Sequence, residues 1–233
     1  NIDTDTRVLG LLGNPIKHSL SPLMHNAVFA EMGLNYAYLP FQVQEEQLKE
    51  AVTSIRGLSL KGVNVTIPFK EKVIPYLDEL SEEALACQAV NVICNKNGSL
   101  VGYNTDGKGF IRALKEENVA IKGRAVFIGA GGAARALAYE LAREGISEII
   151  FMDVDYDKGA ELAKFIASRK LCDTYAEIMD QDKFRIYSKK ADLIVNCSPV
   201  GMHPHVELSP VDDLSRVAPE AVLCDVIYNP LLT

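Results

Sequence analysis

The loop Gly129-Ala130-Gly131-Gly132-Ala133 constrains the fold most, because it follows the apolar run Arg124 to Ile128 and opens a helix-like stretch. Glycines at such a handover let the backbone turn tightly and approach a pyrophosphate, whose charge then lies against the unpaired N–H groups of a helix N-terminus. A glycine-rich turn alone carries little weight. Here a second apolar run, Glu148 to Met152, ends in Asp153 about 20 residues beyond the loop, where a dinucleotide fold places the acid that binds the ribose. A nucleotide-binding unit therefore begins mid-chain, and something else occupies the first hundred or so residues.

With 233 residues, 48% of them hydrophobic, the chain suits one large domain or two small ones with ordinary cores. It carries 24 basic against 31 acidic residues, and no basic run interleaves with aromatics, which argues against a nucleic-acid partner. Cys87, Cys94, Cys172, Cys197 and Cys224 are scattered, with no C-x-x-C pair. That pattern speaks against a disulfide frame or a zinc site and fits a reducing cytoplasm. No apolar stretch approaches the ~20 residues of a membrane span, and Asn1 to Asp5 does not read as a signal peptide. A soluble cytoplasmic protein with no membrane partner is expected. The first residue is not methionine, so the chain reads as trimmed, cut from a longer one, or half of a fused enzyme.

Apolar runs alternate with helix-period segments over most of the length, which predicts an α/β protein with largely parallel sheets. Val8 to Leu12 reads as a strand. A helix from Pro22 to about Met32 follows, with Ser21 as N-cap and Met24, Val28 and Met32 facing the core. Tyr36 to Val43 and the alternating Val63, Val65 and Ile67 read as further strands, the latter ended by Pro68. Val90 to Asn95, Asn97-Gly98 and Ser99 to Tyr103 make a hairpin, since Asn-Gly supplies the positive φ of a type I′ turn. The second series opens with a helix from Gly107 to about Glu117 capped by Asp106, runs through the glycine loop, and reaches strands at Leu193 to Asn196 and Val222 to Asp225. The expected architecture is an N-terminal α/β substrate-binding and catalytic domain over 1–105 with a mostly parallel sheet, then a C-terminal Rossmann-type dinucleotide-binding domain over 106–233. The crevice between two such domains is the expected site.

Three clusters in the leading half are richer in polar groups than strand ends require: His18 to Pro22, Asn64 to Lys70, and Asn91 with Asn104-Thr105-Asp106-Gly107. Hydroxyls, amides, an ammonium and a carboxylate together suit a small polyhydroxylated acid, each of whose hydroxyls needs a partner once desolvated. Lys70 stands just past Pro68, at the expected start of a short helix whose dipole would disfavour an ammonium. With Asp106 close by, it would be an oriented amine able to exchange a proton with a substrate oxygen during hydride transfer. Taken singly, Lys70 reads as a solvated lysine and Asp106 as a helix cap; their place among the other clusters favours catalysis. Ser19 and Ser21 are N-caps as well, and hydroxyls at a helix N-terminus also receive carboxylates. His18 and His25 are assigned to packing or capping rather than metal, and His203 and His205 to an exposed loop.

These motifs, in this order, resemble the shikimate dehydrogenase family, quinate/shikimate dehydrogenases included, from about Arg7 to Thr233. The separated matches are His18 to Pro22, Asn64 to Lys70, Ala89 to Asn91, Gly102 to Gly107, Gly129 to Ala133, Pro199 to Met202 and Tyr228 to Pro230. The resemblance implies a cytoplasmic oxidoreductase of aromatic amino acid (chorismate) biosynthesis. Its reaction is reversible NAD(P)-dependent reduction of 3-dehydroshikimate to shikimate. By the same resemblance Lys70 and Asp106 are catalytic, Ser19, Ser21 and Tyr228 hold the substrate carboxylate, and Asn64, Thr66, Asn91 and Asp106 bind ring hydroxyls. Gly129, Ala130, Gly131, Gly132, Ala133, Asp153 and Met202 are implied for the cofactor, and no metal is. The protein itself would be a monomer or homodimer.

Departures from the family pattern carry expectations of their own. Members that use NADP have Asn-Arg-Thr where this chain has Asp153-Val154-Asp155. An aspartate there accepts bonds from ribose hydroxyls and repels a 2′-phosphate, and Val154 offers no guanidinium, so NAD is the expected cofactor and NADP the alternative. Val92 replaces the usual threonine and is expected to alter a ring contact, whereas Cys197-Ser198 for Ala-Thr is expected to be harmless. Members also continue past Tyr228-Asn229-Pro230 into a helix with a substrate-contacting glutamine and then return over the leading domain. The resemblance thus implies poor substrate binding by a chain that ends at Thr233. Three other readings compete: quinate as substrate with NAD, a non-catalytic nucleotide sensor of the same fold, and a two-domain dehydrogenase of folate one-carbon units or amino acids. Lys70 and Asp106 count against the sensor, and the serine pair before Pro22 favours a carboxylated polyol.

Overall fold

The computed structural model describes residues 2–17 and 19–230; His18, one of the two histidines assigned to packing or capping, lies outside the described residues. The chain divides into two compact units, Asn1–Thr105 and Asp106–Thr233.

The first unit runs β1 (Arg7–Gly13), α1 (Ser21–Glu31), β2 (Tyr36–Gln42), α2 (Leu48–Gly57), β3 (Gly62–Val65), β4 (Glu79–Leu80), α3 (Glu82–Cys87), β5 (Val92–Lys96) and β6 (Ser99–Tyr103). Its sheet has the order β2-β1-β3-β5-β6-β4. The sheet is mostly parallel, as expected, with one antiparallel insertion: β1 runs parallel to β2 and β3, and β4 to β6, whereas β5 is antiparallel to both β3 and β6. The β5–β6 reversal follows from the expected tight Asn97-Gly98 turn, both of whose residues have positive φ. Val52, Ile55, Val63, Val65, Phe69, Val73, Val90, Ile93 and Leu100 fill the core on one face.

Helix α1 departs from expectation. Met24, Val28 and Met32 are 55%, 47% and 65% exposed, and no residue of the helix is buried. It docks through a different stripe, in which the His25 ring stacks on Tyr38 at 4.4 Å and Phe29 tilts against Tyr36 at 5.3 Å. Between them the Asn26 amide accepts from the Tyr38 N–H (2.9 Å) and donates to the Tyr38 carbonyl (2.9 Å). Because β2 is an edge strand, this pair satisfies peptide groups that no neighbouring strand reaches. Ser21 is not the N-cap either: it is the first helical residue, and Ser19 Oγ accepts its N–H at 3.3 Å.

The second unit runs α4 (Asp106–Glu116), β7 (Arg124–Ile128), α5 (Gly132–Glu144), β8 (Glu148–Asp153), α6 (Tyr156–Ala167), β9 (Asp173–Ile178), α7 (Gln181–Ser188), β10 (Leu193–Asn196) and β11 (Val222–Asp225). Its sheet is wholly parallel in the order β11-β10-β7-β8-β9. The chain steps outward from β7 to β9 and then crosses to β10 on the other side, which creates a topological switch point between β7 and β10. Asp155 caps α6 and Asp180 caps α7, each accepting from two backbone N–H groups of its first turn.

One polar knot ties edge strand β9 to α7: the Lys183 ammonium and the Tyr187 hydroxyl each donate to Glu177, both at 2.6 Å. The bonds from Lys183 and then Tyr187 hold the Glu177 carboxyl below the usual carboxylate range. A carboxyl depressed in the folded state stabilises above its unfolded pKa, and that contribution disappears as pH falls through the folded value. The gap in Tm between the protein and Glu177→Gln is therefore expected at pH 7 and should shrink below about pH 4. Thermal melts at the two pH values check this, and a gap that stays constant contradicts it.

Candidate active site

In the first unit, parallel pairing of β1 with β3 sets Leu11 beside Asn64 and brings the segments after both strands to one sheet edge. Ser19 and Ser21 follow β1; Thr66 and Lys70 follow β3. Asn64 is half-buried and tightly held: its Oδ1 accepts from the Tyr38 hydroxyl at 2.8 Å, and its Nδ2 lies 3.4 Å from the Asn91 carbonyl oxygen. Thr66 extends the ladder, donating its N–H to Leu12 O at 2.9 Å. The buried Asn91 accepts from the Thr105 N–H (3.0 Å) and donates to Thr105 Oγ1 (3.1 Å), while Asn104 Nδ2 donates to Ala89 O (3.0 Å). The Asn91 amide thus shapes the turn that leads to Asp106.

Lys70 is half-buried and anchored on both sides. Phe69 is wholly buried, and the Val90 N–H donates to Lys70 O at 2.7 Å. No helix starts there, contrary to the sequence expectation: residues 70–73 are turns, and only the 3-10 helix Ile74–Tyr76 follows. Pro68 and Pro75 leave too little chain between them for a helix, so no helix dipole acts on Lys70.

In the second unit Asp106 is the first residue of α4, and its position follows from how closely α4 meets α5. A Cβ on Gly107 would lie 2.5 Å from Ala136 O and 2.6 Å from Glu140 Cγ. Gly107→Ala is therefore expected to lower unfolding free energy by about 2 kcal/mol, because overpacking forces two backbones apart. Denaturant unfolding tests this; an unchanged midpoint would remove the close-contact account of where Asp106 sits.

The glycine loop lies at the switch point. Gly129 has φ +95, and a Cβ there would stand 2.9 Å from the Cys197 carbonyl carbon and the Ser198 nitrogen, so backbone fills the space a side chain needs. At Gly131 a Cβ would meet nothing within 4 Å, and this residue caps α5 with no side-chain bond to the first turn. An open approach to a helix N-terminus without a side-chain cap is what a pyrophosphate requires, and in that respect the residues fit a dinucleotide. Asp153 does more than the sequence suggested. Its Oδ2 accepts from the Ala130 N–H at 2.7 Å and its Oδ1 from the Asp155 N–H at 2.9 Å, which braces the loop against the end of β8. Val154 beside it is 82% exposed. Met202 is partly exposed beyond β10, and Tyr228 is 59% exposed in the turn after β11.

The family model for the shikimate dehydrogenase substrate binding domain matches residues 11–93. Shikimate dehydrogenase (NADP(+)) of Syntrophomonas wolfei is 52% identical over 230 residues, covering 99% of this chain and 79% of that protein. The chain belongs to the shikimate dehydrogenase family. Among solved structures, shikimate 5-dehydrogenase of Listeria monocytogenes in complex with shikimate and NAD superposes with TM-score 0.90 at 36% identity, over 99% of this chain and 81% of that one. Quinate dehydrogenase from Corynebacterium glutamicum in complex with NAD gives 0.85 at 30% identity, over 97% of this chain and 81% of that one.

Within this shikimate dehydrogenase fold the first unit gathers Ser19, Ser21, Asn64, Thr66 and Lys70 at one edge, with Asn91 behind them. Asp106, the glycine loop, Asp153, Met202 and Tyr228 belong to the second unit. Two participants carried no motif. One is the Asp153 bond to Ala130; the other is Tyr38, whose only sequence signal is a phenol at a core position of β2 where a phenylalanine would pack as well. Among the described residues, no helix is long and apolar enough to cross a membrane, and no group of three His, Cys, Asp or Glu is placed to hold a metal.

Proposed function

We propose that the protein is a shikimate dehydrogenase that reduces 3-dehydroshikimate reversibly to shikimate with NAD(P). The observation that carries this reading is the convergence of hydroxyls, an amide and an ammonium from the ends of β1 and β3, in a chain of this family. Ser19 and Ser21, at the N-terminus of α1, take the substrate carboxylate, with Tyr228 as a further donor. Asn64, Thr66 and Asn91 pair with ring hydroxyls, which a desolvated polyol needs. Gly129 to Ala133 hold the pyrophosphate, Asp153 the adenosine ribose, and Met202 lines the nucleotide site. A nicotinamide held there would supply the hydride in reduction and take it in oxidation. In reduction, Lys70 Nζ donates a proton to the carbonyl oxygen as charge builds there; in oxidation, the same amine accepts the hydroxyl proton. Asp106 orients the reacting groups.

Asp153-Val154-Asp155 supports NAD over NADP, and the Listeria relative holds NAD, whereas the Syntrophomonas relative is named for NADP(+). The same triplet favours one second reading, quinate oxidation with NAD, as the Corynebacterium enzyme is named for. Shikimate and quinate differ by a hydroxyl and a double bond, which one or two side chains suffice to sense. Initial rates for shikimate and quinate, each with NAD and NADP, test both readings. Shikimate with NAD is expected to be fastest. Turnover of quinate alone would replace the substrate, and none with any of the four pairs would remove the enzymatic reading.

A further inference from the structure

Tyr38 is 2% exposed in the middle of edge strand β2. Burying a phenol is unfavourable unless its hydroxyl is bonded, and a phenylalanine would fill the same space without that need. The Tyr38 hydroxyl donates to Asn64 Oδ1 at 2.8 Å. It therefore bears directly on a group assigned to the substrate's ring hydroxyls. With Oδ1 engaged by the phenol, the Asn64 amide is set one way round and presents Nδ2 as its donor.

The placement of this phenol is over-determined. The ring is clamped by His25 at 4.4 Å with an interplanar angle of 20°, and the backbone on both sides of its Cα is bonded to the Asn26 amide. His25, Asn26 and Ser21 all belong to α1, a helix with no buried residue of its own. Helix and phenol are thus located by each other. Burial pushes the phenol up to about 12, so the hydroxyl stays a donor across the working pH range.

We propose that Tyr38 is a positioning residue of the substrate site, its hydroxyl fixing the orientation of the Asn64 amide for a ligand that bears a ring hydroxyl. The inference rests on the reading of Asn64 as a substrate-binding group. Tyr38→Phe keeps the ring and its stack and removes only the hydroxyl. Its dissociation constant and KM for shikimate are expected to rise about tenfold, with kcat within about twofold, nucleotide affinity unchanged and Tm within about 2 °C of the parent. In an Asn64→Ala background the same change should weaken shikimate binding less than about twofold, because the amide it orients is gone.

Calorimetric titration of shikimate into the full chain, with a parallel titration of NAD and a thermal melt, reads these outcomes without relying on turnover. Unchanged shikimate affinity in Tyr38→Phe overturns the proposal. So does a joint loss of shikimate affinity, NAD affinity and Tm, which marks a merely structural role, and so does full additivity with Asn64→Ala. A parent protein that binds NAD but not shikimate overturns the substrate reading itself, and this inference with it.

Discussion

Lys70→Ala is expected to lower kcat for shikimate oxidation about 10³-fold while changing shikimate affinity less than about tenfold. In the proposed reaction the amine is the one group among the polar clusters that exchanges a proton with substrate, while the serines, threonine and asparagines would bind ground state and transition state alike. Removing a general acid/base typically takes away 10²–10⁴ in rate, and a methyl group at this position offers no substitute donor. The backbone should survive the change. Lys70 is located by the buried Phe69 and by the Val90 N–H bonded to its carbonyl, neither of which involves the side chain beyond Cα. Asn64→Ala provides the contrast, since it removes a binding group and is expected to raise KM more than it lowers kcat. Equal effects on kcat from both substitutions would deny Lys70 its special role.

Cofactor choice carries the second large effect: kcat/KM with NAD is expected to exceed that with NADP by about 100-fold, or about 2.7 kcal/mol. Two unit charges 4 Å apart repel by about 4 kcal/mol at an effective dielectric of 20, and exposure on the Asp155 side reduces that figure. Asp153 cannot swing away from a 2′-phosphate without giving up the Ala130 and Asp155 N–H groups bonded to its two oxygens. Asp155 is committed too, capping α6 through the N–H groups of Asp157 and Lys158. The combined change Asp153→Asn, Val154→Arg, Asp155→Thr should reverse the preference, because threonine still caps the helix while arginine supplies a guanidinium for the phosphate. Steady-state kinetics of parent and triple variant with both nucleotides decide the matter. A parent that prefers NADP refutes the electrostatic argument directly.

What the sequence makes legible is whatever short-range chemistry dictates. The strand, glycine loop and helix from Arg124 to Glu144 are local features, as is the hairpin at Asn97-Gly98, and both stand where the motifs put them. Elements whose side chains point against their own pattern are illegible. In β9 the large Tyr175 and Ile178 are exposed while the smaller Thr174 and Ala176 are half-buried, so hydrophobic alternation gives no strand signal at this edge. The Met24, Val28 and Met32 series has helical spacing and looks like a core stripe, but α1 is attached by Asn26 and two aromatic contacts on another side. Asn26 and Tyr38 were invisible for a related reason: a single amide bonded to an edge-strand peptide leaves no periodicity or motif behind. The site residues themselves were readable as clusters, whereas the bonds that orient them were not. Ser19 rather than Ser21 takes the first-turn N–H, and Asp153, expected as a ribose contact, also braces the glycine loop.

In the proposed reaction this chain moves a hydride between a carboxylated polyol and a nicotinamide, with Lys70 handling the proton. Mixing the purified chain with shikimate and NAD and following formation of the reduced nicotinamide tests it most directly. Steady production that collapses in Lys70→Ala, with both ligands still bound, is the predicted result. Tight binding of NAD and shikimate with no reduced nicotinamide formed would contradict it and point to a nucleotide-sensing protein instead.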